Sequence, residues 1–541
     1  MKESLELTKS YSSEKLLRWQ YVCLLIAVMM IPLVGPPSFK QYLGPLFFYG
    51  QPASVPILIG LILATIMIIR DGKARQILFP IAFLGIAYLG LVTIISIHAI
   101  VTFDAPWSSE VFGASTRVDL IKALLLKLGI EEELAYKGII FAKDIRSGIH
   151  EFLFLFCFIV WIALLYIRDT TGTFRVVRKA VIIDFCLLAP YCLIEVFHLY
   201  GFGFATKILS SLNPLFYVPY GASGWYPPLV SWSQVRGVWT EPAYFSFWLA
   251  FAVPFLLDWL FQKQKPGKRF VIFRFVLLVL LFAIWFMTYA RSSIWMMCTM
   301  VLIYFIASFF WRNRSTRIQF INIIISSALA FFLVSNCGPA DIHRWVDPVS
   351  SSDRVSSDLE VTSSHLFQGT VVSSLDSKSR STPSRIQYWT CRFEIFKDSP
   401  FLGVGDVFEP YYEAKKYKEY WGAAVTDEIK GRIEWIEKKG LLKSDFGGNT
   451  LGILEVLACR GMLGAISIFV PIVFLFICFL YQIYKGRNTK NYHIPLCLGV
   501  SSFVCFMSVF PQGLYFFDIW PAIGLLAGYT YLSRREFYVQ K

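Results

Sequence analysis

Four short stretches of this 541-residue chain carry side chains able to act on an anionic group. The first is Arg236-Gly-Val-Trp239-Thr-Glu241-Pro242-Ala-Tyr244-Phe-Ser246, and the second is Thr288-Tyr-Ala-Arg291-Ser292-Ser293. The third runs from Arg385 through Trp389, Arg392 and Pro400 to Gly403-Val-Gly405-Asp406; the fourth runs from Gly447-Gly-Asn449-Thr450 through Glu455 to Arg460-Gly461. The arginine guanidinium is a planar fork of donors that matches phosphate oxygens and keeps its charge, so two or three of them can hold a diphosphate and stabilise it as it departs. Arg236, Arg291, Arg385 and Arg392 are the arginines that these stretches offer. Glu241 is the candidate base closest to these arginines, and Asp406, Glu409 and Asp445 are the next candidates. A neighbouring arginine lowers a carboxylate's pKa, so Glu241 suits orientation of an incoming hydroxyl better than acceptance of its proton. A plain Arg236–Glu241 salt bridge is the structural alternative. So is an interfacial anchor, with Arg236 on lipid phosphates and Trp239 and Tyr244 in the aromatic belt. Gly403-Val-Gly405 reads either as backbone N–H groups brought close to an anion or as an ordinary turn.

The elements that must position these residues are membrane spans. Hydrophobic residues make up 56% of the chain, charged residues only 16%, and the mean hydropathy is +0.56, which excludes a set of soluble domains. The expected fold class is an all-α polytopic membrane protein. Crossing a bilayer takes roughly 20 apolar residues, and about twelve such stretches can be placed. They fall near 19–36, 52–70, 77–101, 149–167, 180–200, 242–261, 270–289, 292–311, 318–336, 464–484, 493–511 and 514–533. A basic cluster follows every even-numbered stretch, as with Arg70, Lys73 and Arg75, or Arg312, Arg314 and Arg317. By the positive-inside rule those clusters and both tails, 1–18 and 534–541, are expected to be cytoplasmic. The clusters account for the net charge of +14 without nucleic acid as a partner. Segments 102–148, 201–241 and 337–463 then face the other side, between spans 1–9 (19–336) and spans 10–12 (464–533). Arg236, Arg291, Arg385 and Arg392 share that side. Arg291 sits at a turn between two spans, where a charge is costly unless it faces a cavity, a partner or the headgroups.

Within the long segments, Leu120 to Leu128 is apolar but too short to span, and reads as an interfacial helix followed by a polar turn at Glu131-Glu132-Glu133. The Ser-rich stretch 349–384 is expected to be disordered. Tyr388 to Phe396 suggest an amphipathic helix ending at Pro400, and Ile429, Ile433 and Ile436 a second one with Gly440 as a C-cap. The 11 cysteines include no CxxC pair and mostly lie in apolar runs; Cys337 and Cys391 flank the large segment and could pair. The six histidines have no ligand spacing, so no metal site is expected.

The order of the four stretches resembles the bacterial O-antigen ligase and O-antigen polymerase superfamily of polytopic membrane glycosyltransferases. Arg236-Gly237 through Glu241-Pro242 is similar to its arginine-glycine-aromatic stretch before a span, and Tyr289-Ala-Arg291-Ser292 to its Ser-Arg-type turn. Arg385, Trp389, Pro400, Gly403 and Gly405 resemble its arginine to Gly-x-Gly segment, with Arg392 and Gly403 spaced as in polymerases. Asn449, Leu451, Glu455 and Gly461-Met-Leu-Gly464 resemble the block that follows. The resemblance implies a GT-C-like fold in a bacterial inner membrane, with the active site facing the periplasm. It also implies an undecaprenyl-diphosphate-linked glycan donor and acceptor, membrane lipid as surroundings, a chain-length regulator as a further partner, and no cofactor. The residues it implies are Arg236, Glu241, Arg291 and Arg385 for catalysis, with Trp239, Arg392, Gly403, Gly405 and Asn449 for substrate binding. Ligases carry a histidine before that asparagine, and this chain has Gly448. The expectation is therefore a polymerase of lipid-linked repeat units. The alternatives are a ligase that transfers the glycan to lipid A core or protein and, in another class, a flippase for lipid-linked sugars.

Overall fold

The computed structural model describes residues 2–33, 52–113, 116–216, 234–239, 241–261, 267–310, 314–337, 381–442, 452–485, 493–512 and 519–539, and for some of these, Arg291 among them, the backbone alone. Every regular element among the described residues is helical. In chain order the helices are α1 (Lys2–Met29), α2 (Ser54–Arg70), α3 (Ala74–Thr102), α4 (Ser109–Phe112), α5 (Thr116–Lys127), α6 (Glu132–Glu151), α7 (Cys157–Arg168), α8 (Thr170–Leu199), α9 (Gly203–Phe216) and α10 (Pro242–Phe261). They continue with α11 (Lys268–Phe286), α12 (Arg291–Phe310), α13 (Arg314–Cys337), α14 (Ser381–Asp398), α15 (Glu409–Tyr420), α16 (Asp427–Lys439), α17 (Gly452–Lys485), α18 (His493–Gln512) and α19 (Ile519–Val539).

Eight helical segments of the described residues are long and apolar enough to cross a membrane: α3, α6 with α7, α8, α10, α11, α12, α13 and α17. The other four expected spans fall on α1, α2, α18 and α19, which do not reach that length and apolarity over the described residues. Two expected boundaries move. The fourth span does not begin near 149, because α6 starts at Glu132 and runs through a π-turn at Phe152–Phe156 into α7. Glu132 and Glu133 therefore open a helix, where acidic side chains suit the positive end of the dipole, rather than forming a polar turn. Likewise α17 starts at Gly452 and bends at Gly461, well ahead of 464.

Helix α10 is the axis of the bundle. Its sequence is apolar on all sides, and almost every residue is buried, as expected for a helix with neighbours all round. It packs on α8, α11, α12 and α18. Pro242 occupies its first position, where a missing N–H costs nothing. Near its far end Asp258 accepts from Arg178 of α8 at 2.7 Å and contacts His493 of α18 at 3.0 Å, so the one charge on this helix is paired.

Segment 337–463 contains a folded unit. Helices α14 and α16 match the two amphipathic helices expected there, and Gly440 caps α16 with φ of 75°. Helix α15 was not foreseen: its lysines and tyrosines hide a stripe of Glu413, Ala414 and Tyr417 that faces α14 and α16. Most of the Ser-rich stretch, 349–380, lies outside the described residues, whereas Ser381–Ser384 begin α14 and so are not part of a disordered tract. Cys337 and Cys391 are both free thiols, Cys391 buried and Cys337 exposed, and do not form a disulfide.

This unit also packs on segment 102–148. Phe103, Phe112 and Tyr136 share a core with Val407, Phe408, Ile436 and Leu442. The amides of Leu441 and Leu442 donate to the carbonyls of Val111 and Phe112 at 3.0 and 3.1 Å. A second join is made backbone to backbone between the 400–405 turn and α17. Val404 and Gly405 donate to the carbonyls of Ala458 and Cys459 at 3.0 and 2.8 Å, and Met462 donates to Pro400 at 2.8 Å. Gly403 (φ 70°) and Gly461 (φ 62°) make this approach feasible, because a Cβ on either would collide with the opposing backbone. Gly403→Ala and Gly461→Ala should each cost about 1–3 kcal/mol. Gly431→Ala, on a helix with nothing near, should be neutral or slightly stabilising. Thermal unfolding of the purified chain in detergent checks both expectations.

Candidate functional site

The Arg236 stretch lies between α9 and α10, where the backbone turns tightly at Gly237 (φ 59°). A carboxylate from within a span holds this turn. Glu195 of α8, fully buried, accepts the backbone N–H groups of Arg236 at 3.2 Å and Gly237 at 2.8 Å on Oε2, and its Oε1 is 4.0 Å from the Arg236 Nε. The Arg236 side chain is buried as completely as Glu195. Burial of both ions is tolerable only because each meets opposite charge or polar groups. Trp239 stacks on Phe245 with centroids 5.1 Å apart and leans on Trp248, so it belongs to the core rather than to an exposed aromatic belt. Glu241 is half-buried directly ahead of α10.

The second stretch meets the first. The amide of Val235 donates to the carbonyl of Met287 at 2.9 Å, which pins the Arg236 turn to the link between α11 and α12. Three buried hydroxyls knit the same junction. Ser246 of α10 donates to Thr288 at 3.1 Å and contacts Ser293, and Thr288 and Ser293 are 2.7 Å apart. Tyr289, between them, is buried with φ of 46°, the only non-glycine residue with positive φ among the described residues. A bulky residue in that region is strained and persists only where its surroundings over-determine it, a feature that gathers at functional sites. Arg291 opens α12 at this junction. Two of the four stretches are thus brought together, forty residues apart in sequence and joined through one turn and one hydroxyl cluster.

The third and fourth stretches meet elsewhere. Arg392 of α14 is fully buried, with Nε donating to Glu409 at 2.9 Å and a terminal nitrogen 3.8 Å from Glu455. Beside it Arg432 of α16 pairs with Glu413 of α15 at 2.7 Å, and Glu413 accepts from Tyr417 at 3.0 Å. Arg392 therefore braces α14, α15 and α17 against one another. Arg385 is exposed on α14, a helix that packs on α15 and α17. The Val404 and Gly405 amides already serve α17, and the Gly403 amide donates to Ser399 at 3.0 Å, so the Gly-x-Gly turn works as a packing device. Asn449 and the candidate base Asp445 lie outside the described residues.

A third polar centre joins Arg460 of the fourth stretch and the candidate base Asp406 to partners that sequence reasoning did not single out. Arg460 of α17 forks onto both oxygens of Glu151 at 2.8 and 2.7 Å, and donates to Asp406 at 2.6 Å and to the Tyr88 hydroxyl at 3.1 Å. Next to it a small cavity is lined by Ser96, Asp144, Gly405, Asp406 and Arg460, with Ser96 donating to Asp144 at 2.6 Å. The missed residues Glu195 and Glu151 left one signal: each is a carboxylate within an expected span, a placement that is costly without a specific partner.

Residues 275–429 match a family model described as O-antigen ligase, a stretch running from within α11 to the start of α16 and covering under a third of the chain. It takes in Arg291, Arg385, Arg392, Gly403 and Gly405, and leaves Arg236 and Arg460 on either side. Among curated proteins no match is found.

Breaking a buried pair strands a charge, so Arg392→Leu should cost about 3–5 kcal/mol. Arg385→Ala, at an exposed position, should leave stability unchanged; denaturant unfolding of the two variants separates a brace from a surface residue. Burial first, and Glu413 next, push the Glu409 carboxyl from 4.5 up to about 7 against the pull of Arg392. A carboxyl raised on folding favours the folded state in its protonated form. That contribution is whole below pH 4.5 and is lost as pH rises through about 7. Melting temperature should accordingly fall between pH 4.5 and about 7 and level off above, and Glu409→Gln should flatten that slope.

Proposed function

We propose, for a chain that belongs to the O-antigen ligase/polymerase superfamily, that it polymerises lipid-diphosphate-linked oligosaccharide repeat units at the outer face of a bacterial inner membrane. A hydroxyl of the acceptor attacks the anomeric carbon of the donor sugar. The new C–O bond forms as the bond from that carbon to the diphosphate breaks, the lipid diphosphate leaves with the electron pair, and the hydroxyl proton passes to a base. Glu241, half-buried directly ahead of α10, orients that hydroxyl in this reading. Arg236 and Arg291 supply positive charge for the departing diphosphate, and Glu195 acts as a positioning residue that holds the Arg236 turn in shape. Arg385, exposed on α14, is the third arginine of this reading. Arg392 braces the loop helices, and Gly403 and Gly405 join their connecting turn to α17. Both tails are on the cytoplasmic side in this reading.

The observation that carries the proposal is the union of the Arg236 turn with the strained Tyr289–Arg291 turn, because it puts two arginine-bearing stretches at one bundle end. Gly448, where ligases have histidine, favours polymerisation over ligation. The test is the surface glycan of a deletion strain complemented with the chain or its variants at matched expression. Single repeat units in the deletion strain, and a ladder restored by the wild type, are expected. Arg236→Ala or Arg291→Ala should reduce polymer by about 10²–10³-fold, the scale for loss of one charge-stabilising group. Long polymer left on the lipid carrier would establish the ligase reading instead, and repeats trapped on the cytoplasmic leaflet would establish transport.

A further inference from the structure

Helix α5 wears its polarity inside out. Leu120, Ile121, Leu124 and Leu128 fall within an arc of about 100° at a helical spacing, and they are 69%, 47%, 57% and 70% exposed. Lys122, on the opposite side, is turned towards the protein. Its Nζ donates to the Tyr136 hydroxyl at 3.1 Å and to Glu132 at 3.2 Å, and it sits 5.0 Å above the Tyr136 ring. A helix resting on a water-bathed surface would show the reverse arrangement, leucines inward and lysine outward. The place of α5 in the chain says what covers the leucines. It is strung between the end of one membrane-crossing helix, α3, and the start of another, since the α6–α7 rod begins at Glu132. Leu134, in the first turns of that rod, is 60% exposed and extends the apolar surface. Lys127, exposed at the edge of the leucine arc, has a stem long enough to lie along acyl chains with its ammonium among phosphates.

We propose that α5 lies in the headgroup–acyl boundary of the bilayer, with phospholipid as the partner of its leucine face. This does not rest on glycosyl transfer; it requires only that the chain crosses a membrane. Its consequence reaches the helices above. Tyr136, which holds Lys122, stacks on Phe112 at 4.9 Å. Phe112 packs against Phe408 at the head of α15, and its carbonyl receives the Leu442 amide after α16. Lipid contact at α5 thereby sets the height of α14–α16 over the bilayer through a continuous line of packed groups.

The test uses the full chain in nanodiscs of phosphatidylethanolamine and phosphatidylglycerol, with a diazirine-bearing leucine analogue at Leu120 or Leu124, or at the exposed Glu434 of α16 as control. After illumination, mass spectrometry should find phospholipid adducts at positions 120 and 124 at least tenfold above the control. Adducts at the control level would overturn the proposal. So would a covalent dimer of the chain without lipid adducts, which would make the leucine face an interface between copies.

Discussion

A carboxylate inside a membrane span is the constraint around which one end of this bundle is built. Glu195 has no access to water, and burial of such an ion costs several kcal/mol unless its lone pairs are met. On Oε2 they are met by two successive backbone amides, while Oε1 has the Arg236 guanidinium 4.0 Å away. Successive amides can converge on one oxygen only if the chain turns sharply there, so Gly237 and the turn follow from the charge. The turn in its turn is hydrogen-bonded to Met287, and the Met287 link carries Thr288 into the hydroxyl cluster with Ser246 and Ser293. Helices α8, α10 and α12 are thus held in register by one continuous polar seam in an otherwise apolar bundle.

The helices of segment 381–442 solve a different problem. They lack the long apolar faces of the spans, and their interior includes Glu409, Glu413, Arg392 and Arg432, all buried or nearly so. Such a core gains little net stability from its ion pairs, but it tolerates few alternative arrangements, since any slip would leave a charge unmatched. Its attachments to the bundle are equally exacting: glycine-mediated backbone contact at 400–405, and the Arg460 fork onto Glu151 and Asp406. The arginines divide by their place in the fold. Arg392, Arg432 and Arg460 meet carboxylates within the loop helices and at their join to the bundle, whereas Arg236, buried against Glu195, and the start of α12 at Arg291 lie at the bundle end, where a substrate diphosphate has a place in the proposed reaction.

Much of this was legible in the residues. Runs such as Ala243–Phe261 announce helices because a single apolar segment in lipid satisfies its polar backbone groups within itself only as a helix. Pro242 marks the start of α10, and Ile429, Ile433, Ile436 and Gly440 mark α16 with its cap. The family resemblance was legible from the order of four arginine-bearing stretches, and a family match over residues 275–429 supports it. The polarity of α5 was half legible: Leu120 to Leu128 gave an interfacial helix, but not the inward lysine.

What the sequence by itself determined, then, is a set of local choices: which stretches are helical, which are apolar enough for a membrane, and which residue types can bear on a phosphate. Only the tertiary structure decided which charges meet. Glu195 and Arg236 are separated by an entire helix, and Glu151 and Arg460 by most of the chain, so no periodicity links them. Arg385 and Arg392 are alike in type and, seven residues apart, lie nearly two full turns from each other on almost the same face of α14, yet packing exposes one and buries the other. Charge type is a local property; the partner that sets a charge's role is chosen by distance in space.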